Sequence, residues 1–238
     1  MIDLLQHGSP SLIDLISDEL WRQLQAIGTV ERYQDGQMIH LRGDEKPGIT
    51  VVLDGRVMIG LQGSEGTFLT SSVMGRGQCF GEFTLFAGLP RTHDISAIGE
   101  TQVLQIKGKP FLALFNAEPS LSHALLTINV YRTHGLLEFL DDLRRLSLPV
   151  HVAKFLLSMS ESASNKKEIQ CNQEVLAFNF GVSRISIGKA LKKLEATGLI
   201  EVGYGKIAIT DHPQLRRWVE QRCPVSALRA SRVNSTSQ

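Results

Sequence analysis

Cysteine and long apolar runs are both scarce in this sequence of 238 residues. The three cysteines, Cys79, Cys171 and Cys223, are odd in number and widely spaced, which argues against a disulfide framework and a clustered metal site. No uninterrupted apolar segment is long enough to cross a bilayer, and the first residues lack a basic region followed by an apolar core. We therefore expect a cytoplasmic protein with reduced thiols, no metal and no membrane partner.

Sequence signatures of catalysis are also missing. The chain contains no nucleophile elbow, no phosphate-transfer loop and no metal-binding His-Glu arrangement, so we do not expect an enzyme. With 42% hydrophobic and 21% charged residues, the composition is that of an ordinary globular protein with one large or two modest domains.

The net charge of +1 conceals an uneven distribution of charge. Acidic residues gather in the first fifth of the chain, whereas the segment 183–195 carries four basic residues against one acid. Further basic residues follow at Lys206, Arg216 and Arg217. A basic C-terminal face of this kind is typical of a protein that contacts nucleic acid.

Hydrophobic periodicity divides the chain into segments of different type. Apolar residues at helical spacing predict an amphipathic leader helix over 11–28, with Gly28 as its stop. Short β-prone runs between Val30 and Ile106, separated by glycine turns, predict a small antiparallel sandwich or barrel.

A long helix is predicted over 119–146, which contains no internal proline. Its lower half has an a/d seam suited to a parallel dimer, formed by Leu136, Phe139, Leu143 and Leu146. Ser147 and Pro149 then begin a new helix, since proline is tolerated in a first turn, and a hinge is expected there.

The C-terminal third has helix signals in the order of a helix-turn-helix. Asn172 caps a first helix, Gly181 makes the turn, and Ser183 caps a second helix running to about residue 197. The runs 199–202 and 206–210 can pair around Gly203-Tyr204-Gly205 to form a wing, after which Asp211 can cap a last helix.

The segment 80–92, F-G-E-F-T-L-F-A-G-L-P-R-T, places a glycine, an acid and a lone arginine around one short turn. Gly81 lets backbone N–H groups approach an anion, and a short helix after it would add a positive dipole end. Arg91 offers paired donors to two phosphate oxygens, Thr92 adds a hydroxyl, and Glu82 can accept from a ribose hydroxyl. A cyclic nucleotide needs these groups.

The second helix of the predicted helix-turn-helix is the one expected to enter the major groove. Its N-terminal side chains can reach base edges while its basic flank meets phosphates. Arg184 is the best base reader because its fork matches the O6 and N7 of guanine, and Lys189 is second.

Two stretches resemble one family. The segment 80–92 is similar to the phosphate-binding cassette of cyclic-nucleotide-binding domains. The stretch N-Q-E-V-L-A-F-N-F-G-V-S-R-I-S-I-G-K-A-L-K-K-L-E, which begins at Asn172, resembles the DNA-binding motif of the CRP/FNR regulators. The resemblance covers about 30–212.

The resemblance implies an α+β fold. Its parts are an N-terminal double-stranded β-helix (jelly roll) sensor domain over 1–117, a long central dimerisation helix over 118–147, and a C-terminal winged helix-turn-helix over 148–223. Turns are implied at Gly43-Asp44 and Asp54-Gly55-Arg56. We expect the tail, 224–238, to be disordered.

The resemblance also implies site residues and partners. Glu82 would hold the ribose 2′-hydroxyl, and Arg91 with Thr92 the cyclic phosphate. The predicted ligand-binding set is Gly81, Glu82, Phe83, Arg91, Thr92 and Leu136. The predicted DNA-binding set is Gln173, Ser183, Arg184, Ile185, Ser186, Lys189, Lys192 and Lys206, with both serines on backbone phosphates. The implied partners are double-stranded DNA, a second copy through the central helix, and RNA polymerase.

Departures from the family pattern leave alternatives open. Leu136 and Leu137 stand where the catabolite activator has the Thr-Ser pair that touches adenine, so the effector is cyclic AMP, cyclic GMP or another nucleotide. Ile185 replaces a glutamate, which exchanges a cytosine contact for an apolar one such as a thymine methyl. No cysteine precedes Cys79, which excludes an iron–sulfur oxygen sensor. We expect Cys79 to be a buried hydrophobe and His93 a pocket-rim residue, which argues against a haem site.

Two other functions fit the same sequence. The first is a ligand-independent regulator with a vestigial pocket, in which Arg91 merely pairs with Glu82. The second, from a different class, is a nucleotide-binding interaction module whose helix-turn-helix docks protein.

Overall fold

The computed structural model describes residues 9–62, 68–162 and 168–223, so the predicted tail at 224–238 lies outside the described residues. The chain divides into two compact units, 1–139 and 140–238, and the division falls within one long helix. No helix in the described part is long and apolar enough to span a membrane. The three cysteines are free and buried.

The N-terminal unit starts with two short helices, α1 (Leu12–Leu15) and α2 (Asp18–Ile27). The prediction of one leader helix over 11–28 is therefore wrong. Ser17 has extended backbone angles, and its hydroxyl accepts a hydrogen bond from Leu20 N at 3.2 Å, so a new helix begins there. Gly28 ends α2, as expected.

An antiparallel sandwich follows, as the resemblance implied. Its strands are β1 (Thr29–Tyr33), β2 (Met38–His40), β3 (Gly48–Gln62), β4 (Phe68–Met74), β5 (Cys79–Phe80) and β6 (Asp94–Lys107). The main path is ordered β1-β6-β3-β4, with β2 on β6 and β5 on β3. A short helix, α3 (Glu82–Phe86), lies between β5 and β6, and α4 (Gly108–Ala117), which was not predicted, follows β6.

Strand alternation gives the sandwich two cores. Successive residues of a strand point to opposite faces. Val51 and Leu104 accordingly join a core with residues of α1, α2, α4 and the long helix, whereas Val52 and Val103 join a second core of strand residues. All four side chains are fully buried.

The predicted turn at Asp54-Gly55-Arg56 is wrong. These residues lie inside β3, which pairs with β6 along both halves and shifts register on either side of Asp54. Gly55 has a φ of +75° and would place a Cβ 2.4 Å from Glu100 O, so it permits an irregularity without ending the strand. Gly43-Asp44 does lie between strands, with Gly43 at a φ of +87°.

The long helix α5 (Pro119–Arg145) agrees with its prediction to one residue. Its first half buries Leu121 and Ile128 in the first core. Three apolar residues on another face stay exposed, Leu126 at 63%, Val130 at 57% and Leu137 at 58%. Of the predicted dimer seam, Leu136 and Leu143 are exposed, and Phe139 and Leu146 are half-buried. At 3.6 residues per turn this exposed row lies on a different side of the helix from the predicted seam, which stays a prediction.

The C-terminal unit has the predicted winged helix-turn-helix. Its elements are α6 (Leu148–Ser162), β7 (Glu168–Gln170), α7 (Gln173–Phe180), α8 (Arg184–Glu195), β8 (Ile200–Gly203), β9 (Lys206–Ile209) and α9 (His212–Arg222). Asp211 caps α9, as expected, by accepting from Gln214 N at 2.8 Å. The strand β7, which pairs with β9, was not predicted.

Candidate functional site

A cavity of about 200 Å³ in the N-terminal unit brings together all the predicted ligand-binding residues. They are Gly81, Glu82, Phe83, Arg91, Thr92 and Leu136. Apolar side chains of β3, β4 and β6, which are Ile59, Met74 and Ile95, complete one wall, and α5 supplies another. Phe83 and Leu136 are 54% and 41% exposed, so their apolar surface is available to a ligand.

Gly81 is fixed by its backbone rather than by a side chain. It caps α3 with a φ of +117°, and a Cβ built on it would lie 2.2 Å from Gly48 O. The Thr84 hydroxyl donates to Gly81 O at 2.9 Å and holds the first turn of α3. Gly81, which follows β5, therefore lies directly against the first residue of β3, and the next residue, Glu82, lines the cavity.

Arg91 is a buried cation in the cavity wall. Its side chain is 8% exposed, its Nε has no hydrogen-bond partner, and no salt bridge among the described residues includes it. Burial lowers its pKa, and the charges of Asp44 and Glu82 partly oppose that change. The backbone is fixed on both sides, because Arg91 N donates to Asp44 O at 2.9 Å and Gly43 N donates to Arg91 O at 2.8 Å.

Arg132 of α5 also lines the cavity, and the sequence reasoning missed it. Its Nη1 donates to Glu82 Oε1 and its Nη2 to Cys79 O, both at 2.7 Å. The side chains of Arg132 and Glu82 are only 15% and 13% exposed. The predicted alternative, an Arg91–Glu82 pair, is therefore not what the structure shows. One feature of the sequence could have revealed Arg132. It lies four positions from both Ile128 and Leu136, which puts a charged residue on the inward face of the helix.

Thr92 and His93 add a hydroxyl and an imidazole to the cavity wall. The Thr92 hydroxyl lies 2.9 Å from His93 Nδ1. Burial, followed by the charge of Arg42, lowers the pKa of His93 and so favours the neutral ring. A neutral imidazole bonded to a hydroxyl can give or take a hydrogen bond from a ligand. Its place in the cavity wall fits the expected pocket-rim residue.

The helix-turn-helix in the C-terminal unit is held by local caps. Asn172 Oδ1 accepts from Val175 N at 2.8 Å, and Gly181 turns the chain with a φ of +61°. Ser183 Oγ accepts from Ser186 N at 3.1 Å and lies 2.9 Å from Ser186 Oγ. These bonds fix the start of α8, from which Arg184 projects.

One exposed surface groove collects five of the predicted DNA-binding residues. They are Gln173, Arg184, Ile185, Lys189 and Lys192. Ile185 is 72% exposed, which suits a contact with another molecule better than a place in the core. Buried residues on the opposite side of α8, among them Ile187 and Leu194, anchor the helix. The groove therefore combines cationic and apolar groups on one helix face.

Lys206 behaves differently from the other predicted DNA-binding residues. Its Nζ donates to Glu168 Oε1 at 2.6 Å across the β7–β9 pair. The pair is half exposed, and its charges offset each other. Its predicted role in DNA binding stays a prediction.

Comparisons with known proteins agree with this geometry. The model of the cyclic nucleotide-binding domain matches residues 30–118, and that of the Crp-like helix-turn-helix domain matches residues 150–218. A CRP-like cAMP-activated global transcriptional regulator of Mycobacterium tuberculosis is 26% identical over 220 residues, which cover 90% of this chain and 95% of the relative. The cyclic AMP receptor protein of Thermus thermophilus is 26% identical over 87% of this chain and 92% of the relative.

Solved structures share the fold. A CooA mutant from Carboxydothermus hydrogenoformans matches with a TM-score of 0.69 at 18% identity, covering 92% of this chain and 100% of that one. The c-di-GMP responsive regulator CLP of Xanthomonas campestris matches with a TM-score of 0.67 at 21% identity. The match covers 82% of this chain and 100% of that one.

Proposed function

Because the chain belongs to the CRP/FNR family of transcription regulators, we propose that its effector is a cyclic nucleotide bound in the cavity of the N-terminal unit. The protein is an effector-controlled, DNA-binding transcription regulator and not an enzyme. Cyclic AMP is the first nucleotide to test, because both relatives described above are named for it.

The observation that carries the proposal is the buried, unpartnered Nε of Arg91 in the cavity wall. A buried donor without a partner costs about 1–3 kcal/mol, and more when the group is charged. An anion that accepts from the guanidinium removes this cost and adds charge-assisted bonds. A cyclic phosphate is such an anion, and the hydroxyl of Thr92 next in the chain supplies a further donor.

Glu82 is the proposed partner of the ribose. A 2′-hydroxyl can donate to this carboxylate, which lies in the same cavity wall as Arg91. Arg132 already donates to Glu82 at 2.7 Å, so the ribose must share or replace that bond. Ribose binding would therefore act on α5, the helix that carries Arg132.

The base is proposed to pack on the apolar wall formed by Ile59, Met74 and Leu136. This wall accepts any flat aromatic base. Selectivity between adenine and guanine then depends on the polar groups of the cavity, Thr92, His93 and Asn129.

DNA binding is proposed to use the groove of Gln173, Arg184, Ile185, Lys189 and Lys192, with α8 in the major groove. Ser183 and Ser186 at its N-terminus, together with Lys206 of the wing, complete the proposed set. Arg184 reads guanine and Lys192 meets a backbone phosphate. Two such helices are needed for a two-fold site, with half-sites about 34 Å apart.

A homodimer through α5 supplies the two helices. The exposed row of Leu126, Val130 and Leu137 is the proposed contact, since water-exposed leucine and valine gain from burial against a second copy. RNA polymerase is the proposed partner at promoters. The place of action is the cytoplasm, where bacterial DNA lies.

Isothermal titration of the dimer with cyclic AMP, cyclic GMP and cyclic di-GMP tests the effector. Saturable binding of one nucleotide is expected in the wild type. It is also expected in the control variant Arg42→Leu, which removes an exposed arginine of the same unit. Arg91→Leu should weaken that binding by about a hundredfold or more, because it removes bonds worth about 3 kcal/mol. Equal affinity in Arg91→Leu would contradict the assignment.

A ligand-independent regulator is the second candidate. The Arg132–Glu82 pair favours it, because the pair already fills the ribose position with a protein cation. Sequence-specific DNA binding by the wild type, without heat from any of the three nucleotides and unchanged by them, would select this candidate.

A further inference from the structure

The tip of the wing exposes a tyrosine. β8 and β9 are joined by the two residues Tyr204 and Gly205, and Gly203 pairs with Lys206 at the end of the ladder. Gly205, the second residue of this turn, has a φ of +69°. Glycine adopts such a positive φ without strain. Tyr204 is fully exposed.

The Tyr204 hydroxyl makes no hydrogen bond with any residue that the structure describes. An exposed apolar side chain alone needs no explanation. Tyr204, however, lines a cleft together with Gln173 and Arg184, two of the proposed DNA contacts. The wing tip and the first turn of α8 therefore face one shared space within the C-terminal unit.

The charge of the wing points to the kind of contact that Tyr204 makes. Between Ile200 and Ile209 the only cation is Lys206, and its ammonium group is engaged with Glu168. Glu201 adds a negative charge on the same hairpin. A wing whose one cation is paired with a carboxylate can also reach a phosphate through a neutral donor, and a tyrosine hydroxyl is one.

We propose that Tyr204 donates a hydrogen bond to a DNA backbone phosphate beside the bases read by α8. This contact positions the wing without an ion pair. Its two-torsion side chain loses little conformational freedom on binding. Since no cation is involved, no counterion release accompanies the bond, and its contribution does not change with salt.

The experiment compares Tyr204→Phe and Tyr204→Ala with the full-length wild type. The probe is the duplex that the wild type enriches from a random-sequence pool, titrated at salt concentrations from about 50 to 200 mM. Tyr204→Phe should bind about tenfold more weakly, the loss of one hydrogen bond to a charged acceptor, and Tyr204→Ala more weakly still. Both should keep the wild-type slope of log K against log salt.

Lys192→Ala is the matched control, because it removes a proposed ionic phosphate contact from the same unit. For this variant the magnitude of the slope of log K against log salt should be smaller than in the wild type by about 0.9. A Tyr204→Phe variant that binds like the wild type at every salt concentration would overturn the inference. So would a weakened variant whose slope falls as it does in Lys192→Ala, since that result would mean an ionic contact.

A set of duplexes, each with one phosphate replaced by a methylphosphonate, locates the acceptor. At one flanking position the replacement should weaken the wild type by a larger factor than it weakens Tyr204→Phe. Equal factors at every position would overturn the inference. The inference rests on the DNA interface proposed above. A wild type that enriches no duplex would refute both, whereas enrichment with an unaffected Tyr204→Phe refutes this contact alone.

Discussion

Replacement of Arg132 by methionine tests the contact that the sequence did not predict. The change removes the guanidinium that donates hydrogen bonds to Glu82 Oε1 and to Cys79 O, and methionine keeps a long apolar side chain. Breaking a fully buried ion pair costs about 3–5 kcal/mol because the remaining charge is left without a partner. Arg132 and Glu82 are 15% and 13% exposed, so we expect a loss near the lower end, about 3 kcal/mol.

Glu82→Gln should cost less, about 1 kcal/mol, although it breaks the same pair. The glutamine carbonyl can still accept from Arg132, and Cys79 O remains a second acceptor. Arg22→Met is the matched control in the same unit. It removes an ion pair of 3.0 Å whose side chains are 69% and 62% exposed, so its expected cost is below about 0.5 kcal/mol.

Urea unfolding followed by tryptophan fluorescence measures these differences. The chain has two tryptophans, and Trp21 packs against the first core of the N-terminal unit. In a Trp218→Phe background, Trp21 alone reports unfolding of that unit. A shift in midpoint with an unchanged m value is expected. The same free energy of unfolding in Arg132→Met and Arg22→Met would refute the reasoning.

Two further predictions concern the C-terminal unit and the response to pH. Arg184→Ala should lose preference at one base pair by about 1–3 kcal/mol in selection from a random duplex pool, and an unchanged preference would remove Arg184 as a base reader. Burial lowers the pKa of both His40 and His151 to about 4. The unfolded chain therefore takes up protons first as pH falls, and thermal stability should be full above about pH 6.5 and decrease towards pH 4. His151→Gln should flatten that decrease for the unit in which it lies, and an equally steep decrease would exclude His151 as a cause.

Sequence reasoning located those candidate residues whose placement is decided by local chemistry. Gly81 was recognisable because its left-handed conformation is a property of the turn itself. Asn172, Gly181 and Ser183 were recognisable because a cap acts on residues within three or four positions. The order of strands, long helix and winged helix-turn-helix followed from the same local signals and from the family resemblance.

Apart from the local break at Ser17 in the predicted leader helix, the main errors concern interactions between distant residues. Arg132 and Glu82 are 50 positions apart, so no local pattern pairs them. The irregularity at Asp54-Gly55 looks like a turn in the sequence, yet both halves of β3 pair with the same long strand β6, and the ladder continues. Lys206 looked like a free cation because Glu168, its partner, lies on a strand that the sequence did not reveal.

The proposed mechanism of effector control depends on the two faces of α5. The inward face carries Arg132, which is held by Glu82, and the exposed row of Leu126, Val130 and Leu137 lies on another face. A helix is rigid over this length, so a change on one face changes the presentation of the other. A nucleotide that takes Glu82 from Arg132 must offset about 3 kcal/mol, and the phosphate bonds to Arg91 are the available source.

The balance between these two contributions explains why one ligand would need both a phosphate and a ribose hydroxyl. The phosphate alone satisfies Arg91 but leaves Arg132 on Glu82, so it binds both states of α5 equally. A ligand with equal affinity for two states does not shift the equilibrium between them, however tightly it binds. The ribose alone lacks the free energy to displace Arg132. On this proposal, only a molecule with both groups would couple binding in the cavity to the helix that carries the proposed dimer contact.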